Sequence, residues 1–287
     1  MADSPRVYAQ LQTIDGARPL LMGARAVALG DAYTADNSDV SALYWNPGAL
    51  YSLENASVVV DEYYEVETAI NNDMAAVAIP RVNEGTVALG VSVSHVGYIK
   101  TNHPNNYHAA AYGFDIGYAT SFSPGFSAGL RFHGQFGHTQ GTNLLTNNWS
   151  LGLLYRPSSE IAYGLTYGGV GDGLFIADSV TMIREVLPHR LEIGIAMRYP
   201  AGRSHQLIMI SLSNEKIFGE TGLYYKAGME ILPYEFLALR FGYNVGPVTQ
   251  TPRLGAGLRT DMFRLDYAIA PSTQSLRFQQ ITLSLNI

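Results

Sequence analysis

From about residue 55 to the C-terminus, apolar and polar side chains alternate with a period of two, the pattern of strands that face two different surroundings. In GFSAGLRFHGQF, Phe126, Ala128, Leu130, Phe132 and Phe136 share one face, and Ser127, Gly129, Arg131, His133 and Gln135 share the other. RLEIGIAMRY sets Leu191, Ile193, Ile195, Met197 and Tyr199 against Arg190, Glu192 and Arg198. The pattern predicts fourteen strands, near 55–64, 73–80, 86–98, 110–122, 125–137, 147–156, 159–168, 189–199, 204–213, 221–231, 234–243, 251–259, 262–270 and 277–287.

The charges obey the same register. From the fourth strand on, leaving out the ninth, Asp115, Arg131, Arg156, Arg190, Glu192, Arg198, Lys226, Glu230, Arg240, Arg253, Arg259, Arg264 and Asp266 all fall on the Gly/Ser-rich face. Connections alternate between short ones (RVNEG, SPG, RPSS, YPAG, LPY, RTDM) and longer ones near 65–72, 99–109, 138–146, 169–188, 214–220, 244–250 and 271–276. Short turns at one end and longer loops at the other describe an up-and-down transmembrane barrel. An even strand count then brings both ends of the wall to the short-turn, periplasmic side. A soluble sandwich also segregates its charges by face. The membrane barrel is favoured by Tyr at many strand ends (Tyr98, Tyr118, Tyr155, Tyr167, Tyr199, Tyr234, Tyr243), where an interfacial girdle belongs.

Composition narrows the choice. A net charge of −6 gives no basic field for nucleic acid. With no cysteine, disulfides, thiol catalysis and Cys-based zinc sites are excluded. No apolar run is long enough for a transmembrane helix. The N-terminus MADSPRVYAQ has no signal-peptide core, so an exported protein would be represented here in its mature form. Only Lys100, Lys216 and Lys226 are lysines among 18 basic residues. Arg suits fixed, enclosed geometry.

The stretch MGARAVALGDAYTADNSDVSALYWNPGAL, Met22–Leu50, breaks the strand pattern. It is rich in Ala and Gly, leans helical, and ends where Asn46-Pro47-Gly48 turns the chain, because a residue before Pro avoids the helical region. Ser38 is positioned to cap a short helix over DVSALYW. A fourteen-stranded wall is too wide for its own side chains to fill. The expectation is therefore a plug or hatch at 1–54 inside a barrel at 55–287, with Asp31, Asp36 and Asp39 facing the lumenal arginines.

This stretch resembles the N-terminal signature of the PorV/PorQ family within the FadL-like outer-membrane barrels. The matching residues are Gly23, Ala24, Arg25, Gly30, Asp39, Ser41, Ala42, Tyr44, Trp45, Asn46, Pro47 and Leu50. Val40 stands where the family has a second acid, and Pro47-Gly48-Ala49 replaces Pro-Ala-Gly. The resemblance implies a plugged barrel in a Gram-negative outer membrane. For a PorV/PorQ-type member it implies an accessory that binds secreted cargo or a larger secretion barrel. The alternative is FadL-type passage of small hydrophobic molecules such as fatty acids, gated by the plug.

Catalysis finds little support. His95, His133 and His138 have no G-x-S-x-G or S-x-x-K partner motif, and lumenal hydrogen bonding is the simpler role for them. GGVGDG, 168–173, lacks the Lys and helix of a phosphate loop. Asp172 and Asp178 fit no calcium spacing. No cofactor or metal is expected, and the last residue is Ile287 where assembly signals often end in an aromatic. The loop 169–188, carrying the apolar Leu174, Phe175, Ile176, Met182 and Ile183, is the one candidate surface for an outside partner. Besides lipid, the candidate partners are thus a secretion barrel, exported cargo or a hydrophobic small molecule.

Overall fold

The computed structural model describes residues 22–36, 39–65, 70–99, 107–139, 142–177, 182–185, 188–200, 207–247, 250–271 and 277–287. Its wall runs β1 Ser57–Glu65, β2 Ile70–Val82, β3 Gly85–Ile99, β4 Tyr107–Ser123, β5 Phe126–Thr139, β6 Thr142–Tyr155, β7 Ile161–Ala177 and β8 Met182–Glu185. It continues with β9 Arg190–Tyr199, β10 Ile208–Ile217, β11 Tyr224–Tyr234, β12 Leu237–Val245, β13 Gln250–Arg259, β14 Phe263–Pro271 and β15 Arg277–Asn286. All pairings are antiparallel, and β1 with β15 and β6 with β7 close the sheet on itself. The short β8 and β9 share one wall position, both pairing with β7, so fifteen segments make a fourteen-stranded barrel.

Burial decides which face points in. Leu89, Val91, Ile116, Leu151, Ile193 and Leu254 are about half exposed on the outer face, while Arg131, Arg240, Arg253 and Asp266 are at most 4% exposed. Apolar outside and charged inside is the reverse of a soluble domain. It is the arrangement of a barrel that uses lipid as its outer solvent. Tyr118, Tyr163, Tyr199 and Tyr234 are exposed toward the short-turn end. Tyr112, Tyr225, Tyr243 and Tyr267 stand exposed elsewhere on the outer face. Tyr155, at the same short-turn end, stacks on Phe126 at 3.9 Å, and Tyr167 stacks on His189 at 5.7 Å. The side chain of Tyr98 lies outside the described residues.

Three expectations are corrected. The segment 169–188 is not one long loop: β7 continues to Ala177 and turns back through β8, because Leu174–Ala177 pairs with Met182–Glu185. The backbones of Leu174, Phe175, Ile176, Met182 and Ile183 thus form a hairpin, and their side chains and residues 178–181 lie outside the described residues. The ninth predicted strand sits four residues later, at 208–217, which turns Glu215 into the lumen. Arg259 keeps the inward register opposite Arg264 but sits exposed at the short-turn rim, where its Nε donates to the Glu235 carbonyl at 2.6 Å.

Inside the wall, two short helices, α1 Ala24–Ala28 and α2 Ala42–Trp45, lead to a 3₁₀ turn at Pro47–Ser52. Every described residue of 22–50 is buried. Residues 1–21 and Ser38, with its expected cap, lie outside the described residues. The cap that is visible belongs to Asn46, whose Oδ1 accepts from the Gly48 amide at 3.0 Å.

Candidate functional site

The seat of the 22–50 segment is built first from small residues. A side chain at Gly242 would collide with the main chain at Leu29 and Gly30, one at Gly152 with Asn46 and Gly48, and one at Gly129 with Pro47. Backbone meets backbone here, so glycines on both partners set the approach distance. Gly23 and Gly30 adopt φ of 99° and 67°, which L side chains rarely tolerate. Asn46 then ties the segment to the wall: its Nδ2 donates to the Leu153 carbonyl at 2.9 Å and to the Thr34 carbonyl at 2.7 Å. Trp45 closes the segment on itself, donating to the Met22 carbonyl at 2.7 Å and packing edge-on against Tyr33.

The charges come next. Asp31 meets Arg253 at 2.8 Å and accepts from Asn244 at 3.0 Å. Asp36 pairs with Arg198 and with Arg25 at 2.7 Å, while Asp39 pairs with Arg264. Arg25 also reaches Glu230 at 2.9 Å, and Arg240 links Glu230 at 2.5 Å to Asp266 at 2.8 Å. Arg264 also lies 2.7 Å from Asp266, so apart from the Asp31–Arg253 pair these four acids and four arginines form one continuous network between segment and wall. Burial opposes ionisation of Asp39, but Arg264, Ser41 and Arg25 outweigh it and hold its pKa below the ordinary carboxylate value.

The remaining wall charges group elsewhere. Lys226 bridges Glu192 at 2.8 Å and Glu215 at 3.0 Å, with Arg190 3.8 Å from Glu215. Arg131 and His133 both meet Asp115 Oδ1, at 2.6 and 2.9 Å, beneath the ring of Tyr44. Sequence reasoning missed Asp61, which accepts from the Gly23 amide at 3.2 Å, from Gln280 at 2.6 Å and from Thr282. It stands in VVVDEYYE, where apolar residues run together and no alternation marks a face. Glu215 was missed through the shifted ninth strand. Among the described residues, no group of His, Asp and Glu is arranged to hold a metal ion.

One place in the wall is irregular. β7 pairs with β9 up to Gly168 and with β8 from Leu174 on, so Gly169–Gly173 has no described ladder partner on that side. On its other side the β6 register shifts twice across Asn147–Ser150. Gly169 takes φ of 81° against the Pro188 carbonyl. The glycines of GGVGDG therefore form a bulge, which interrupts a ladder and bends the strand.

No known family model matches the sequence, and no curated protein does. Solved structures do match. The toluene transporter TbuX of Ralstonia pickettii superposes with a TM-score of 0.67 at 12% identity, over 93% of this chain and 98% of that one. The toluene transporter TodX of Pseudomonas putida gives 0.68 at 11%, over 92% and 98%. A FadL homologue of Pseudomonas aeruginosa gives 0.63 at 11%, over 91% and 96%. The fold is FadL-like. At these identities the likeness extends to the FadL-like wall and its closure and carries no residue roles. The PorV/PorQ resemblance of the opening stretch has no counterpart among these structures.

Proposed function

We propose that this protein carries small hydrophobic molecules across a bacterial outer membrane by FadL-like passive transport, with the 22–50 segment as plug and gate. The secretion-accessory reading, placed first on the sequence, gives way to its alternative. The observation that carries the proposal is the bulge at Gly169–Gly173, which has no described ladder partner on its β8/β9 side. An apolar passenger gains nothing by leaving through an aqueous lumen, but a break in the ladder offers a sideways path into lipid. Similarity in fold to proteins described as toluene transporters supports the same reading. The segment is held by ion pairs, hydrogen bonds and close packing, all of which can be released together.

The test uses the absence of native cysteine. A Cβ at Gly194 would lie 3.3 Å from the Thr34 Cβ, its one contact under 3 Å being the Ser213 hydroxyl, so a small shift brings a Thr34→Cys/Gly194→Cys pair to the roughly 3.5–4.5 Å that a disulfide needs. Uptake of a labelled aromatic hydrocarbon is measured in cells with a lipopolysaccharide outer leaflet and no hydrophobic channel of their own. Oxidation of the pair is expected to stop uptake and reductant to restore it. Unchanged uptake with the cross-link complete sinks the gate.

A further inference from the structure

The strand register gathers one set of uncharged polar side chains on the inner wall. Ser92 on β3 lies across from Gly113 on β4, Gly113 from Gln135 on β5, and Gln135 from Thr146 on β6. One row nearer the long-loop end, Ser94 lies across from Asn72 on β2. All five polar side chains are at least nine-tenths buried. Among the described residues, Ser92 Oγ, Ser94 Oγ, Thr146 Oγ1, Asn72 Oδ1 and both amide atoms of Gln135 have no hydrogen-bond partner. Buried polar atoms are nearly always paired, and leaving one unpaired costs free energy. Six such atoms in one patch amount to a recognition surface.

Gly113 gives the patch a floor. The Ser92 hydroxyl leans over it, and His133 Cε1 comes within 3.3 Å of where a Cβ would stand. The neighbouring charges neutralise one another, since Arg131 and His133 share Asp115 Oδ1. An anionic head therefore meets no uncommitted cation among these residues, whereas a hydroxyl finds donors and acceptors. Met74, across from Ser92, and Ile70 add a buried apolar shoulder. We infer that this patch is a head-group subsite for passengers that carry an uncharged hydroxyl on an otherwise apolar body. The inference rests on the transport reading above.

The experiment is displacement of a fluorescent apolar probe, 1-aminoanthracene, from the purified full chain in detergent. The competitors are 1-decanol, decane and decanoate, each corrected for micelle partition. Decanol is expected to compete about tenfold better than either of the others, the scale of a buried hydrogen bond or two. In Ser92→Ala/Gln135→Leu the advantage should fall below about threefold, with decane unchanged. If that variant lacks the compact unheated band on a gel, Thr146→Val is read in its place. Equal competition by decanol and decane, decanoate as the best competitor, or an advantage that survives the substitutions overturns the subsite and leaves the transport reading standing. No displacement by any of the three overturns both.

Discussion

At the residue scale, alternation placed side chains on faces but did not say what they touch. Leu130 and Arg131 make the point. Leu130 is exposed on the outer face, so Leu130→Arg puts a charge against lipid at a cost of about 2–4 kcal/mol near mid-bilayer. On alternation alone, Arg131→Leu should be harmless, since it only changes a lumenal position. The structure reverses that expectation, because Arg131 compensates the buried Asp115. Its loss should cost about 3–5 kcal/mol. Urea titration of refolding into vesicles is expected to show both variants destabilised, and a wild-type midpoint for Arg131→Leu would contradict the ion pair. Asn46 is the other decisive residue. Asn46→Ala removes two links to carbonyls and one cap, so hydrogen exchange should rise across 40–50 while the wall strands keep their protection.

At the element scale, the 22–50 segment stood out by its small residues and its break in the strand pattern. Its short helices are too brief to stand alone and draw their order from the wall. Arg25, in α1, joins Asp36 to Glu230. Arg25→Met leaves both acids short of a partner and should release the segment, read as protease cleavage within 22–50 at conditions where the native chain resists. Asp39 makes that docking depend on pH. Its pKa is lowered, so its contribution is complete above the ordinary carboxylate range and fades only as pH falls through the lowered value. Less legible was the 169–188 stretch. Its turn-like glycines read as a loop, whereas the strand passes through them as a bulge.

At the scale of the whole molecule, closure explains both the wall's resistance and the lumen's chemistry. Outside the bulge at Gly169–Gly173, the closed sheet has no edge to pair wrongly and leaves no backbone group facing lipid unsatisfied. The enclosed charges are close and shielded, so salt screens them poorly. Raising salt to 1 M should leave the thermal transition of the folded barrel nearly unmoved, as followed by circular dichroism. A large downward shift would mean that the network is open to bulk solvent.

The sequence by itself determined the strand count, the face of each sorted charge and the odd character of residues 22–50. Each of these is a local property, written in a period of two or its interruption. Only the tertiary structure decided which carboxylate meets which guanidinium, that Asp61 and Glu215 belong to the lumen, that Arg259 ends exposed at the rim, and that Gly169–Gly173 forms a bulge in the wall. Those depend on closure, which brings together residues as distant in sequence as Asp39 and Arg264. The same closure turned the charged face inward, since alternation is symmetric between inside and outside until a surrounding solvent chooses.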